Sequence, residues 1–207
     1  MKPRDEVPLT QAQTRPANSS HSAQSASTLW GSLTWWPTLV AVGLAGFIAL
    51  DMSRGIELAP ILAASGLVYL GAAALRKPSA AWPVFLGTFV VITIAKFGVL
   101  GVNATWVFLG LGAVFVGYGF LRRAAHPIHG LPLQTIAMVG FGATAAIALI
   151  VGGKVGAYLV AAGLLGHAAW DIYHHRGNKV VVRSMAEFCC VLDTLLAIAI
   201  VIAAVRD

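Results

Sequence analysis

The chain has 207 residues, 58% of them hydrophobic and 11% charged, with a net charge of +6 and a mean hydropathy of +0.80. A soluble domain carries about 25% charged residues, so a water-facing surface on every side is excluded and the chain reads as an integral membrane protein. The basic residues are scattered over the ends of apolar segments, as a bilayer sorts them, which excludes a nucleic-acid-binding face.

Residues 1–33 are rich in Ser, Thr, Gln, Pro and Ala and contain no apolar run. Such a composition buries too little surface to fold alone, so a disordered tail is expected there, with His21 inside it. No apolar stretch precedes the first segment, which speaks against a cleaved signal peptide. Trp30, Trp35 and Trp36 then arrive together, as interfacial aromatics do.

From residue 34 to residue 207 the chain is a succession of apolar segments, each near the roughly 20 residues a bilayer requires. They fall at about 35–52, 57–75, 81–101, 104–121, 131–152, 154–175 and 185–205. The expected fold is therefore all-α, an integral membrane bundle of seven transmembrane helices. Pro37, Pro60 and Pro83 stand near segment starts, where a missing N–H costs little. Only Gly152-Gly153 separates the fifth segment from the sixth, so this pair is the easiest to miscount. Small residues at packing spacing (Gly110, Ala113 and Gly117 in the fourth segment, Gly142 and Ala146 in the fifth) read as helix contacts.

Loop charge orients the bundle. With seven spans, one side holds Lys2, Arg4, Arg15, Arg76, Lys77, Arg122, Arg123, Arg176, Lys179 and Arg183, and the other only Arg54, Lys154 and Arg206. That bias predicts a multi-pass cell-membrane protein with its N-terminus in the cytoplasm and its C-terminus outside. Lys96 lies within the third segment, where it is expected to snorkel or to pair with Asp51 or Glu57.

The run Gly166-His167-Ala168-Ala169-Trp170-Asp171-Ile172-Tyr173-His174-His175 is the densest concentration of chemistry in the chain. On a helix His167, Asp171 and His174 share one face, together with Gly163 and Gly156, which let another backbone come close. Asp193 lies about as far into the seventh segment as His167 lies from the end of the sixth, so the two are expected at one depth. His167, Asp171, His174 and Asp193 are thus candidate metal ligands, with Asp171 and Asp193 as candidate catalytic carboxylates. Imidazole and carboxylate donors suit zinc or iron better than calcium.

Plainer accounts exist for the same residues. His167 and Asp171 also fit a structural hydrogen-bonded pair, Asp193 a helix-packing bond, and His174 and His175 the headgroup region beside Arg176. Ser184 and Glu187 read as a capping box at the start of the seventh helix. Cys189 and Cys190 are adjacent and read as small hydrophobes. The basic loop from Arg176 to Arg183 fits contact with anionic lipid, or a clamp for a phosphate-bearing substrate beside the histidines. His126 and His129 flank Pro127 in a loop expected to be solvated.

The run from His167 to His175, followed by Ser184 and then Cys190-Val191-Leu192-Asp193, resembles a group of small bacterial polytopic membrane proteins of unknown function carrying a C-terminal HxxxDxxHH motif. The resemblance covers residues 163–200 and implies a motif without an activity. Seven spans with a His/Asp cluster are also similar to the membrane zinc hydrolases that include alkaline ceramidases. Those spread their ligands over early, middle and last helices, whereas here the second segment has no His and the last has no His pair. A retinal protein is excluded by the lack of a lysine in the seventh segment. Three functions stay open: a metal-dependent enzyme acting on a lipid-like substrate, a small proton-coupled transporter, and a structural or interaction protein without chemistry. Contact with the lipid bilayer is common to all three.

Overall fold

The computed structural model describes residues 35–99, 101–122 and 130–206. The expected tail over residues 1–33, with His21 and Trp30, and the loop residues His126 and His129 lie outside the described residues. The chain divides into two units, Met1–Trp36 and Pro37–Asp207, and the second forms a helical bundle.

Seven α-helices follow one another among the described residues: α1 (Trp36–Asp51), α2 (Ala59–Ala74), α3 (Ala81–Lys96), α4 (Ala104–Leu121), α5 (Leu131–Val151), α6 (Gly153–Gly177) and α7 (Arg183–Arg206). Short 3-10 turns at Gly55–Leu58 and Pro78–Ala80 lead into α2 and α3. Joined to those turns, α2 to α7 form six apolar spans of 18 to 25 residues, long enough to cross a membrane. The all-α membrane bundle expected from the sequence is what the chain forms. At 16 residues and about 1.5 Å per residue, α1 is the short member of the set.

The bundle is organised around α2. Fifteen of its sixteen residues are buried, and it packs against α3, α4, α5 and α6. Its sequence explains why. Six alanines, two glycines and a serine give it a thin profile, so neighbouring backbones approach from every side. A Cβ on Gly66 would stand 3.2 Å from the Met138 sulfur and 3.4 Å from the Met138 Cα, which measures how closely α5 lies against it. On α6, Gly163 faces the Leu62 side chain of α2, and Gly156 faces the Ala148 carbonyl of α5. The small face expected beside His167 is therefore a genuine helix contact.

The small-residue reading of α4 needs correction. A Cβ on Gly110 or Gly117 would have nothing within 4 Å among the described residues, and both, like Ala113, are exposed. The packed glycines are two residues further on, Gly112 against Met138 and Gly119 against Leu131. Gly is common in membrane helices for both reasons, and spacing alone did not separate the two faces. In α5, Gly142 does make its contact, with Leu109.

At the junction most open to miscounting, Gly152 and Gly153 both take positive φ, 67° and 54°. Side chains avoid this region of backbone space, and glycine lets α5 turn directly into α6 as a separate helix. At the far end of α6, Asn178 adopts the left-handed conformation and the Lys179 N–H returns to the His174 carbonyl, closing the helix. The chain then reverses into α7, and α6 with α7 forms the most extensive pairing in the bundle.

Lys96 pairs with Asp51 across the end of the bundle, while Glu57 takes Ser53 and Arg54 instead. The expected capping box does not form. Helix α7 begins at Arg183, before Ser184. The Ser184 hydroxyl instead accepts the Trp82 indole N–H at 3.3 Å, and Glu187 accepts the Thr38 hydroxyl at 2.5 Å. Both residues tie α7 to other helices.

Candidate metal centre

Helix α6 presents His167, Asp171 and His174 on one face, and all three are buried. The face is polar within an apolar helix, so each group must find a partner inside the protein. Helix α7 brings Asp193 to the same depth: the His167 Nδ1 lies 2.8 Å from the Asp193 Oδ2. It also lies 3.3 Å from the Asp171 Oδ2. A single Nδ1–H directed at Asp193 cannot serve both carboxylates. Among the described residues, the Asp171 Oδ2 and the His167 Nε2 are buried without a hydrogen-bond partner.

Helix α2 supplies what the sequence reading missed. The Tyr69 hydroxyl donates to the Asp171 Oδ1 at 2.6 Å, and the Ser65 hydroxyl lies 3.5 Å from the Asp193 Oδ1 while also reaching the Ile61 carbonyl at 3.1 Å. Tyr69 and Ser65 are one helical turn apart, so a single face of α2 addresses both carboxylates. The Tyr69 ring sits edge-on to both histidines, with centroids 5.3 Å from His167 and 5.0 Å from His174. Phe141 of α5 packs against His167 at 4.9 Å. The readable signal was a tyrosine and a serine at i and i+4 in a helix otherwise made of small and aliphatic residues.

One donor atom from each of His167, Asp171 and Asp193 falls within 4.8 Å of the other two. Bonds of about 2.0–2.1 Å to a tetrahedral ion put its ligands about 3.3 Å apart, so this trio has the dimensions of a small-ion site. With a neutral imidazole its two carboxylates carry two negative charges in a membrane interior. Such a site requires two compensating positive charges, from one divalent ion or from two protons.

His174 lies outside the trio. Its Nδ1 donates to the Trp170 carbonyl at 2.9 Å, which leaves Nε2 as the acceptor, and the Gln134 amide nitrogen donates to it at 3.0 Å. The Gln134 Oε1 in turn accepts the Trp170 indole N–H at 3.2 Å. Gln134, fully buried on α5, was also absent from the sequence reading. Both imidazole nitrogens are engaged by these bonds.

Two openings lie near these residues. A groove of about 480 Å³ runs between α5 and α6, lined by Ile136, Gly140, Leu159, Gly163 and other apolar residues, with Phe141 and Trp170 in its wall. A smaller cleft of about 180 Å³ lies between the end of α6 and the start of α7 and includes Asp171 in its lining.

The fold and site together define an all-α membrane bundle with a buried His/Asp/Asp trio at the junction of α2, α6 and α7. No family profile matches the chain, and no curated protein or solved structure shows significant similarity to it.

Proposed function

We propose that the trio binds one divalent transition metal, zinc or iron(II), and that the ion serves a membrane enzyme acting on a lipid-like substrate from the cytoplasmic face. The observation that carries this reading is the convergence of three buried donor atoms, with the Asp171 Oδ2 lacking a hydrogen-bond partner among the described residues. Three protein ligands leave a fourth position open, as catalytic rather than structural sites do. His167 and Asp193 would be the close pair. Asp171, held at its other oxygen by Tyr69, would be the third ligand, and the ion would supply the activation of water at the open position. The positive charge at Arg176, Lys179 and Arg183 supports a cytoplasmic position for this end of the bundle.

A second reading has its own support. Tyr69, Asp171, His167, Asp193 and Ser65 form a continuous polar chain between three helices. The same two charges supplied by protons would make that chain the relay of a small proton-coupled transporter.

Metal content of detergent-purified protein separates the two. About one ion per chain, lost in both His167→Ala and Asp193→Asn, is the expected result, and it justifies a screen of lipid-like esters and amides. Metal-free wild type showing a pH-driven flux in proteoliposomes, abolished by Asp193→Asn, would favour the relay. Neither metal nor flux would leave the trio as helix packing.

A further inference from the structure

The trio is fully buried, so an ion must reach it by a route the bundle provides. The larger groove is unsuited. The residues lining it are apolar apart from Thr144 and Trp170, and no carboxylate, imidazole or thiol faces a passing ion there. The smaller cleft is different. Asp171 and His175 face it from α6, one turn apart, and Glu187 and Cys190 face it from α7. A carboxylate, an imidazole and a thiol are the side-chain types that exchange metal ions. His175, Glu187 and Cys190 are each half-buried, and Asp171, fully buried, belongs both to this lining and to the trio. The Thr38 hydroxyl of α1 donates to the Glu187 carboxylate and holds it in place.

We propose that this cleft is the port through which the metal ion reaches the trio, with Glu187, His175 and Cys190 as transient ligands that hand it to Asp171. The inference rests on the metal reading above. The port residues set the rate of loading, whereas His167, Asp171 and Asp193 set the affinity. Arg176, the fixed positive charge in the lining, opposes an incoming cation.

The test is cobalt(II) loading of chelator-stripped, full-length protein in detergent, followed by visible absorption in time and by stoichiometry at equilibrium. A His175→Asn, Glu187→Gln, Cys190→Ser variant is expected to load about tenfold more slowly or worse, yet still reach about one ion per chain. Should that variant fail to fold, the wild type alkylated at Cys190 with a bulky maleimide gives the same comparison, with reagent-treated Cys190→Ser as control. Arg176→Ala is expected to load faster. Loading at the wild-type rate by the triple variant or the alkylated protein, with stoichiometry intact, overturns the port and leaves the metal site standing. Absence of cobalt binding to the wild type at equilibrium overturns the metal reading, and the port with it.

Discussion

Two histidines on the same face of α6, seven residues apart, are buried to the same degree and yet sit in opposite circumstances. His174 has both nitrogens engaged: Nδ1 donates to the Trp170 carbonyl, and Nε2 accepts from the Gln134 amide. His167 stands between two carboxylates, and among the described residues its Nε2 and the Asp171 Oδ2 have no hydrogen-bond partner. Natural interiors satisfy their buried polar groups, so a histidine with both nitrogens engaged is explained by stability. A neighbouring one that stays open calls for a ligand. The difference lies in what faces each histidine: an amide from α5 in one case, an aspartate from α7 in the other.

Breaking the open set should have the largest effect. His167→Ala leaves two carboxylates facing each other in the bundle core. It is expected to lose the metal entirely and to cost about 3–5 kcal/mol of stability in the metal-free protein, read by thermal unfolding in detergent. Asp193→Asn keeps the shape and is expected to lose the metal with a smaller stability cost. Metal retained at wild-type stoichiometry in both variants would remove the trio as its site.

Tyr69→Phe comes next. It deletes the hydroxyl that donates to the Asp171 Oδ1. Groups that orient metal ligands are typically worth about 10–100-fold in metal affinity, so a competition titration against a chelator should show a drop of that order. The ring remains to pack against both histidines, so the helical signal should hold. An unchanged affinity would mean that Asp171 is positioned by packing alone.

The contrast between the two histidines marks how far the sequence could be read. The membrane class, the order of the helices and the meeting of His167 with Asp193 all follow from apolar run lengths and from equal depth on adjacent helices. Gly163 and Gly156 were legible for the same reason, since they share the histidine face. What stayed hidden came from α2 and α5. Ser65, Tyr69 and Gln134 lie 128, 102 and 40 residues from their partners in sequence, and no local period links them. The central place of α2 was equally hidden, because a helix in lipid and a helix wrapped by other helices are both apolar all round. Ser184 and Glu187 fit a capping pattern by spacing, but their side chains found Trp82 and Thr38 once α1 and α3 packed alongside α7. Local pattern was overridden by tertiary contact.

The His174 set supplies the control for the His167 set. Gln134→Ala removes the amide that bridges Trp170 and His174, leaving a buried imidazole nitrogen and an indole N–H short of these bonds. A stability loss of about 1–3 kcal/mol is expected, with metal content unchanged. A fall in metal content together with stability would show that the two networks act as one unit through Tyr69, whose ring touches both histidines.

The smallest effect is expected at the opposite end of the bundle. Lys96 and Asp51 form an ion pair whose side chains are 58% and 55% exposed. Taken as a surface pair it contributes less than about 1 kcal/mol, because solvent screens the attraction and two long side chains lose freedom to hold it. Lys96→Ala should therefore shift the unfolding midpoint only slightly and leave metal content untouched. If the pair instead lies below the headgroups, its charges are desolvated and removing one strands the other, so the loss should rise well above that figure. Raising salt distinguishes the two cases: a screened surface pair weakens, and a pair shielded by lipid does not. The size of this loss would thus report where the bilayer surface falls along α1 and α3, which helix lengths alone leave open.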